Sequence, residues 1–355
     1  MGEVHAFMFG YYAKSVNYIW VCRRVFPAQD FYGAKKMKAI VYKEYGGPEV
    51  LSVAEVERPE VGPGEMLVKV EASAVTTADW RLRAAAFPGI LGPVGRAMFG
   101  WRRPKNPVLG SAFAGEVVEA GVGAEISEGP VMGFVMGKAH AEYLLVKPGE
   151  CIIERPADLG VEEAAAMPFG GLSALVFLRD VAKVARGSRV LILGGSGEVG
   201  AMAVQIARAM GAHVTAMASA GNLTLLEELG AEEALDYRTH PVADLGRRFD
   251  VVFDTFGAVT TPEARRVLVR GGVFVPLNFG LPEMLQALTN CLRARKVKLH
   301  ISGDRSEDLQ HLVDLRAQGL LRGVIAGVFP MEEVREAHRL VEGRHKRGAA
   351  VLRIA

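Results

Sequence analysis

The densest chemistry in this 355-residue chain lies in Gly194-Gly-Ser-Gly-Glu-Val-Gly200. The stretch follows a run of buried-strand character, Arg189-Val-Leu-Ile-Leu193, and opens a helical run from Val199 to Met210 that Gly211 stops. Gly195, Gly197 and Gly200 have the spacing of a diphosphate cradle. One glycine makes a tight turn, one lets the backbone approach the pyrophosphate, and one lets the helix pack close to the strand. Ser196, Glu198 and Val199 complete the loop, and the N–H groups of the helix start face the phosphates. Such a pattern alone is a weak signal. Between a strand and a helix of a repeated unit it predicts a bound dinucleotide, and with it hydride transfer.

The type of dinucleotide is read one strand further on. A site for NAD ends its second strand with an acid that bonds the ribose hydroxyls. Here His213–Met217 runs into Ala218-Ser-Ala-Gly-Asn222, with no acid to repel a 2′-phosphate. Ser219 and Asn222 can donate hydrogen bonds, and Tyr237 with Arg238 follows the third strand. These residues favour NADPH. Gly257 and Asn278 follow the fourth and fifth strands, at the carboxyl ends where open parallel sheets collect their ligands, and are expected to touch the cofactor.

The elements that must position this loop change character along the chain. From about 166 to 303, strands Arg189–Leu193, His213–Met217, Phe249–Asp254 and Gly272–Pro276 alternate with helices, which predicts a parallel sheet covered on both faces. From 37 to about 165, short strands such as Met37–Tyr42, Met66–Glu71 and Gly115–Ala120 are broken by Gly and Pro, as in a partly open β-barrel. Residues 85–107, with Pro88, Pro93, Pro104 and Pro107, read as a long mobile loop. The last 50 residues predict two helices, about 306–318 and 331–342, and a strand near 350–353 that can return to the first half and make the β domain discontinuous.

Composition limits the classes. Half the residues are apolar and 23% charged, enough for a large core, and a formal net charge of +2 argues against a general nucleic-acid binder. No uninterrupted apolar run of about 18 residues exists, so no membrane span is predicted. Cys22, Cys151 and Cys291 are odd in number and far apart, which fits neither a disulfide framework nor a four-cysteine zinc site and suits a reducing cytoplasm. Residues 1–36 are rich in aromatics without a clean period and resemble neither a secretory signal nor a mitochondrial presequence. Two readings stay open for them: a leader preceding a true start at Met37 or a loose arm, and a partner-binding or membrane-surface arm.

Five stretches now carry a resemblance: Met37-Lys-Ala-Ile-Val-Tyr-Lys-Glu-Tyr-Gly-Gly-Pro-Glu-Val-Leu51, Gly110-Ser-Ala-Phe-Ala-Gly-Glu-Val-Val-Glu-Ala-Gly121, Ala164-Ala-Ala-Met-Pro-Phe-Gly-Gly-Leu-Ser-Ala174, the glycine loop, and Leu229-Gly-Ala-Glu-Glu-Ala-Leu-Asp-Tyr237. Over 37–355 the chain resembles the zinc-free quinone oxidoreductase branch of the medium-chain dehydrogenase/reductase superfamily. The resemblance implies an α/β chain with two domains: a GroES-like catalytic barrel at 37–165 and 304–355, and a doubly wound parallel Rossmann domain at 166–303. It also implies NADPH in the cleft between them, a quinone or α,β-unsaturated carbonyl as the small-molecule substrate, and a homodimer. Zinc-dependent relatives place Cys and Gly-His-Glu where this chain has Val75-Thr-Thr-Ala-Asp79 and Gly110-Ser-Ala112, which cannot form the metal cage. The zinc-free branch itself often has Asn at Thr76, Asp at Ala112, Lys at Asn222 and a basic residue near Ala349.

Without a metal, hydrogen bonds must stabilise the oxygen that gains charge. Conjugation in a quinone or enone spreads that charge, so one or two bonds suffice. Thr76 and Thr77, after the strand ending near Val75, are candidate donors, against the alternative of a threonine capping its own turn. Tyr45, which the resemblance puts near the cleft, is a third candidate against simple packing. Ser173 stands where relatives have a Thr facing the nicotinamide. Asp79 reads as a helix cap, His140 as structural, and the basic run through Arg335, Arg339, Arg344, Lys346 and Arg347 as a solvated face. A metal-free reductase of ordinary carbonyls and a cofactor-binding regulatory protein without catalysis are the competing readings of the whole.

Overall fold

The computed structural model describes residues 35–87, 91–290, 294–300, 303–343 and 346–354. The expectations for residues 1–34 and for Cys22, Cys291 and Arg344 fall outside these. In chain order the first half contains β1 (Lys36–Val41), β2 (Ser52–Glu57), β3 (Met66–Val75), α1 (Thr77–Ala84), α2 (Leu91–Phe99), β4 (Ala112–Ala120), β5 (Gly129–Phe134), β6 (Tyr143–Val146) and β7 (Cys151–Glu154). Then come α3 (Val161–Ala166), α4 (Pro168–Val176), β8 (Arg189–Leu193), α5 (Glu198–Ala209), β9 (His213–Ala218), α6 (Leu223–Glu228), β10 (Glu233–Asp236), β11 (Phe249–Asp254), α7 (Thr261–Val267), β12 (Leu268–Pro276), α8 (Leu281–Leu288) and β13 (Lys296–Val297). The chain closes with α9 (Ser306–Ala317), β14 (Ile325–Pro330), α10 (Val334–Glu342) and β15 (Ala349–Arg353).

The middle of the chain builds a six-stranded, all-parallel sheet in the order β10-β9-β8-β11-β12-β13. This order reverses direction between β8 and β11, and a crevice opens there at the carboxyl ends of the strands. The strand interiors are buried, Val190 to Leu193 and Val251 to Asp254 among them, because helices cover both faces. The flanking part is a seven-stranded sheet in which β15 and β4 sandwich β3. Of the ten residues of β3 only Lys69 is exposed, as its central place requires. The core of this sheet gathers Ile40, Met66, Val68, Phe113, Leu144 and Leu352, so residues from both ends of the chain share one interior.

Three segments differ from expectation. Residues 91–99, read as part of a mobile loop, form α2: Pro93 falls in the first turn, where its missing N–H costs no hydrogen bond, and Phe87 stacks on Phe99 at 5.7 Å to hold the helix end. Strand β14 was not anticipated; its residues are exposed or half-buried without strict alternation, and its pairing with the parallel β15 defines it. The helical stretch Val161–Ala182 is long and apolar enough to cross a membrane by composition, but 72% of its apolar window is buried in this fold as a core helix.

Candidate active site

The crevice at the carboxyl ends of β8, β9 and β11 is a cavity of 480 Å³. Ser196, Gly197, Glu198 and Val199 form its floor, with Ser219, Asn222 and Tyr237 on one wall and Thr255, Phe256 and Ala258 on another. The loop is shaped for close approach. Gly194 takes φ +76°, and a Cβ on Gly200 would lie 2.1 Å from Gly194 O, so only glycine lets α5 start against β8. A Cβ on Gly195 would meet Leu226 at 2.9 Å; this glycine serves packing beneath the cradle. Gly197 is a surface of the cavity itself. The first N–H groups of α5 have no intrahelical partner and point into the cleft, as a diphosphate requires.

The side of the cleft around Asn222 holds a residue that sequence reasoning placed elsewhere. The Arg347 guanidinium donates to Asn222 Oδ1 and to Gly221 O. Asn222 in turn donates to Ser196 Oγ at 3.1 Å and Ser219 Oγ at 3.2 Å. A basic residue therefore does reach the end of the second strand, from the segment that leads into β15. Lys346, its neighbour, is buried and donates to Glu198 Oε2 at 2.9 Å. Gly348 N donates to Ser196 O at 2.9 Å. The basic run is thus not one solvated face: Arg339 pairs with Glu336 on the surface, Arg335 donates to Leu51 O, Lys346 lines the cleft, and Arg347, itself exposed, holds Asn222 and Gly221. No local signal marks out Arg335, Lys346 and Arg347, because their contact partners lie more than a hundred residues away.

A second cavity, of 520 Å³, continues from the first. Thr77, Arg81, Val199 and Thr255 line both. Its walls are mostly apolar, with Leu82, Phe87, Met98, Phe99 and Phe134 prominent, so it suits a flat hydrophobic acceptor. Ser173 and Asn278 line this second cavity rather than the first, and Asn278 Oδ1 accepts from Arg81 at 3.0 Å. Arg81 and Tyr42 line it as well and were not anticipated; burial raises the Tyr42 hydroxyl well above its ordinary range.

Three predicted site residues serve structure instead. Thr76 is fully buried at the start of α1, where its hydroxyl donates to Asp79 Oδ2 at 2.7 Å and accepts from Asp79 N at 3.3 Å. It is a helix cap, away from both cavities, and the adjacent Thr77 takes the lining position. Tyr45 donates to Gly100 O at 2.7 Å and sits under Arg96, bracing the end of α2. Gly257 has its N–H held by Asp254 Oδ1 at 2.8 Å and is needed for its φ of +81°. Asp254 closes this turn by accepting four backbone N–H groups, from Phe256 to Val259. Asp79 caps α1 and also accepts from Gly110 N, while His140 is buried with Nε2 against Ala74 O, both structural roles.

Residues 62–185 match the alcohol dehydrogenase GroES-like domain and residues 229–352 match the zinc-binding dehydrogenase family. A quinone-oxidoreductase homolog of the spinach (Spinacia oleracea) chloroplast is 30% identical over 338 residues, covering 90% of this chain and 99% of the relative. The chain belongs to the medium-chain dehydrogenase/reductase superfamily, in its quinone oxidoreductase-like branch. The NADPH-dependent alkenal/one oxidoreductase of the Arabidopsis thaliana chloroplast is 28% identical, covering 90% of this chain and 80% of the relative. The quinone oxidoreductase from Coxiella burnetii superposes with a TM-score of 0.81 at 29% identity, covering 90% of this chain and all of that one. The parallel sheet is accordingly the Rossmann layer of this superfamily, and the flanking sheet its GroES-like partner. The protein is an oxidoreductase of a family that uses nicotinamide dinucleotides, and the glycine cradle fits such a cofactor. Among the described residues, no group of three or more His, Cys, Asp or Glu side chains is placed to hold a metal ion.

Proposed function

We propose that the chain is an NADPH-dependent, zinc-independent reductase of quinones or α,β-unsaturated carbonyls, working as a homodimer. The observation that carries the cofactor choice is Arg347 on Asn222, at a strand end with no carboxylate. A guanidinium beside Ser219 and Asn222 supplies the positive charge that attracts a 2′-phosphate and would exchange its bonds to Asn222 and Gly221 for bonds to it, and no carboxylate at that strand end repels it. The substrate class rests on the apolar second cavity, and it agrees with the activities named for the spinach and Arabidopsis relatives.

The bound cofactor supplies a hydride at nicotinamide C4. The residues of the chain supply position and charge. Phe87, Phe99 and Phe134 exclude water and hold a planar acceptor, and Ser173, on the wall of the same cavity, would bond the carboxamide of a bound nicotinamide. Thr77, at the seam, donates a hydrogen bond to the acceptor oxygen as it gains charge, and the Arg81 cation beside it favours the same charge. Val75–Asp79 and Gly110–Ala112 provide no thiolate or imidazole for zinc, so these donors take the place of a Lewis acid.

The test measures NADPH and NADH dissociation constants together with turnover of 1,4-naphthoquinone and a short enone, with and without a chelator. Turnover insensitive to the chelator is expected. Arg347→Ala is expected to weaken NADPH by about 10- to 100-fold while leaving NADH unchanged. Equal losses for both cofactors would remove Arg347 from phosphate recognition. Tight NADPH binding without turnover of any acceptor would overturn the reductase, and light scattering at the monomer mass would overturn the dimer.

A further inference from the structure

Glu198 is out of keeping with the loop it occupies. It is the first residue of α5, where the bare amides of a phosphate cradle gather, yet it brings a carboxylate to that place. The side chain is 4% exposed and cannot swing away, because α4 closes on it so tightly that a Cβ on Gly170 would lie 2.7 Å from Glu198 O and 3.2 Å from its Cγ. One oxygen, Oε2, accepts from Lys346, itself 7% exposed; the other, Oε1, is buried with no hydrogen-bond partner among the described residues. Both side chains line the cavity alongside Ser196 and Gly197. Burial and the nearby Asp79 push the Glu198 carboxyl above its ordinary range, and Lys346 opposes them. The remaining ionisable groups on the cavity wall are Arg81, Tyr237 and Glu263.

A dinucleotide diphosphate entering this cleft brings two negative charges to the end of α5. Its oxygens compete for Lys346, the buried cation at that spot, and the potential at Glu198 falls further. A buried carboxylate that loses its cation neutralises itself by taking a proton. We infer that cofactor binding is coupled to proton uptake at Glu198: the diphosphate draws Lys346 off the carboxylate, and the carboxylate takes one proton from solvent to become a carboxylic acid. No other bond changes, and the charge brought in is partly offset. This inference rests on the reading of the cleft as a nicotinamide dinucleotide site. The bound state holds the extra proton, so affinity rises as pH falls, by up to about tenfold per pH unit between the carboxyl pKa values of the free and bound protein.

Calorimetric titration of the full chain with NADPH and with NADH, near neutral pH in phosphate, HEPES and Tris, counts the protons exchanged from the dependence of the heat on buffer ionisation enthalpy. NADH lacks the 2′-phosphate, whose own titration near pH 6 contributes to the NADPH count. The wild type is expected to take up close to one proton per NADH bound, and Glu198→Gln close to none while still binding. Lys346→Met is expected to bind more weakly and take up less than the wild type, because its Glu198 is already protonated before the ligand arrives. Binding without uptake in the wild type, or uptake unchanged in Glu198→Gln, would overturn the coupling and leave the cofactor reading standing. Absence of any binding heat for either nucleotide, with no retention on an immobilised nucleotide, would overturn both.

Discussion

Thr76 and Thr77 are adjacent and chemically identical, and the fold gives them opposite roles. Thr76 closes a reciprocal cap with Asp79, whose other oxygen holds Gly110 N at 2.9 Å. Thr76→Val is therefore expected to lower stability by about 1–2 kcal/mol, seen as a fall in Tm, with the turnover of the folded fraction unchanged. Thr77→Val is expected to leave Tm and NADPH affinity in place and to reduce kcat for an enone by about 100-fold, the cost of one oxyanion donor. The reverse pattern would return the donor role to Thr76. The choice was invisible in the sequence, since both readings rest on a threonine following a strand and a one-residue shift in helix start decides between them. The glycine loop was legible because each glycine answers a steric need local to the chain. Arg347 was not, because its partners Gly221 and Asn222 lie on another element that only the fold brings near.

At the scale of elements, strands with a continuous apolar run or a clear alternation, such as β3 and β8, were legible from residue type alone. β14 and α2 were not. The first exists through pairing with β15, and the second through packing of Phe99 on Phe87 across a proline that composition marks as a breaker. α9 is anchored in a way that can be titrated. Asp308, buried near its start, accepts from Arg179 at 2.6 Å and from Arg305 at 2.8 Å, and these cations hold its carboxyl below the ordinary range despite burial. Because the folded pKa is depressed, the pair stabilises fully above the unfolded value of about 4 and its contribution disappears as pH falls through the folded value. Asp308→Asn is expected to cost about 1–3 kcal/mol at neutral pH, with the partial exposure of Arg179 keeping it under the cost of a fully buried pair. Denaturation followed from pH 7 to pH 3 should show the two proteins converging. A gap that stays constant with pH would mean that the carboxylate charge is not what matters.

For the molecule as a whole, the two-layer plan of an all-parallel sheet beside a β-rich half was legible from periodicity and the placement of Gly and Pro. How the halves are fastened was not. The fastening is at Gly348, which adopts φ +81°, bridges to Gly197 and donates to Ser196 O, so the segment entering β15 is bolted to the phosphate loop. A Cβ at this position would meet Val324 O at 2.0 Å. Gly348→Ala is expected to lower stability by about 2–4 kcal/mol and to weaken NADPH by at least about tenfold, through displacement of Lys346 and Arg347 with the backbone. Calorimetry and nucleotide titration on the same sample check both. A variant with lowered Tm and unchanged affinity would separate the fastening from the cleft.

The place of β15 beside β3 also sets the order in which a newly made chain can finish folding. While β15 is still being made, β3 has β4 along one side but β6 over only Met66–Lys69 of the other, which leaves Ala72–Val75 bare, whereas every strand of the parallel sheet has already been made. An open, apolar strand edge is the feature that captures other chains. The GroES-like half therefore spends most of translation incomplete and in need of shielding, and it closes only when the carboxyl-terminal segment arrives, in the same event that delivers Lys346 and Arg347 to the nucleotide cleft.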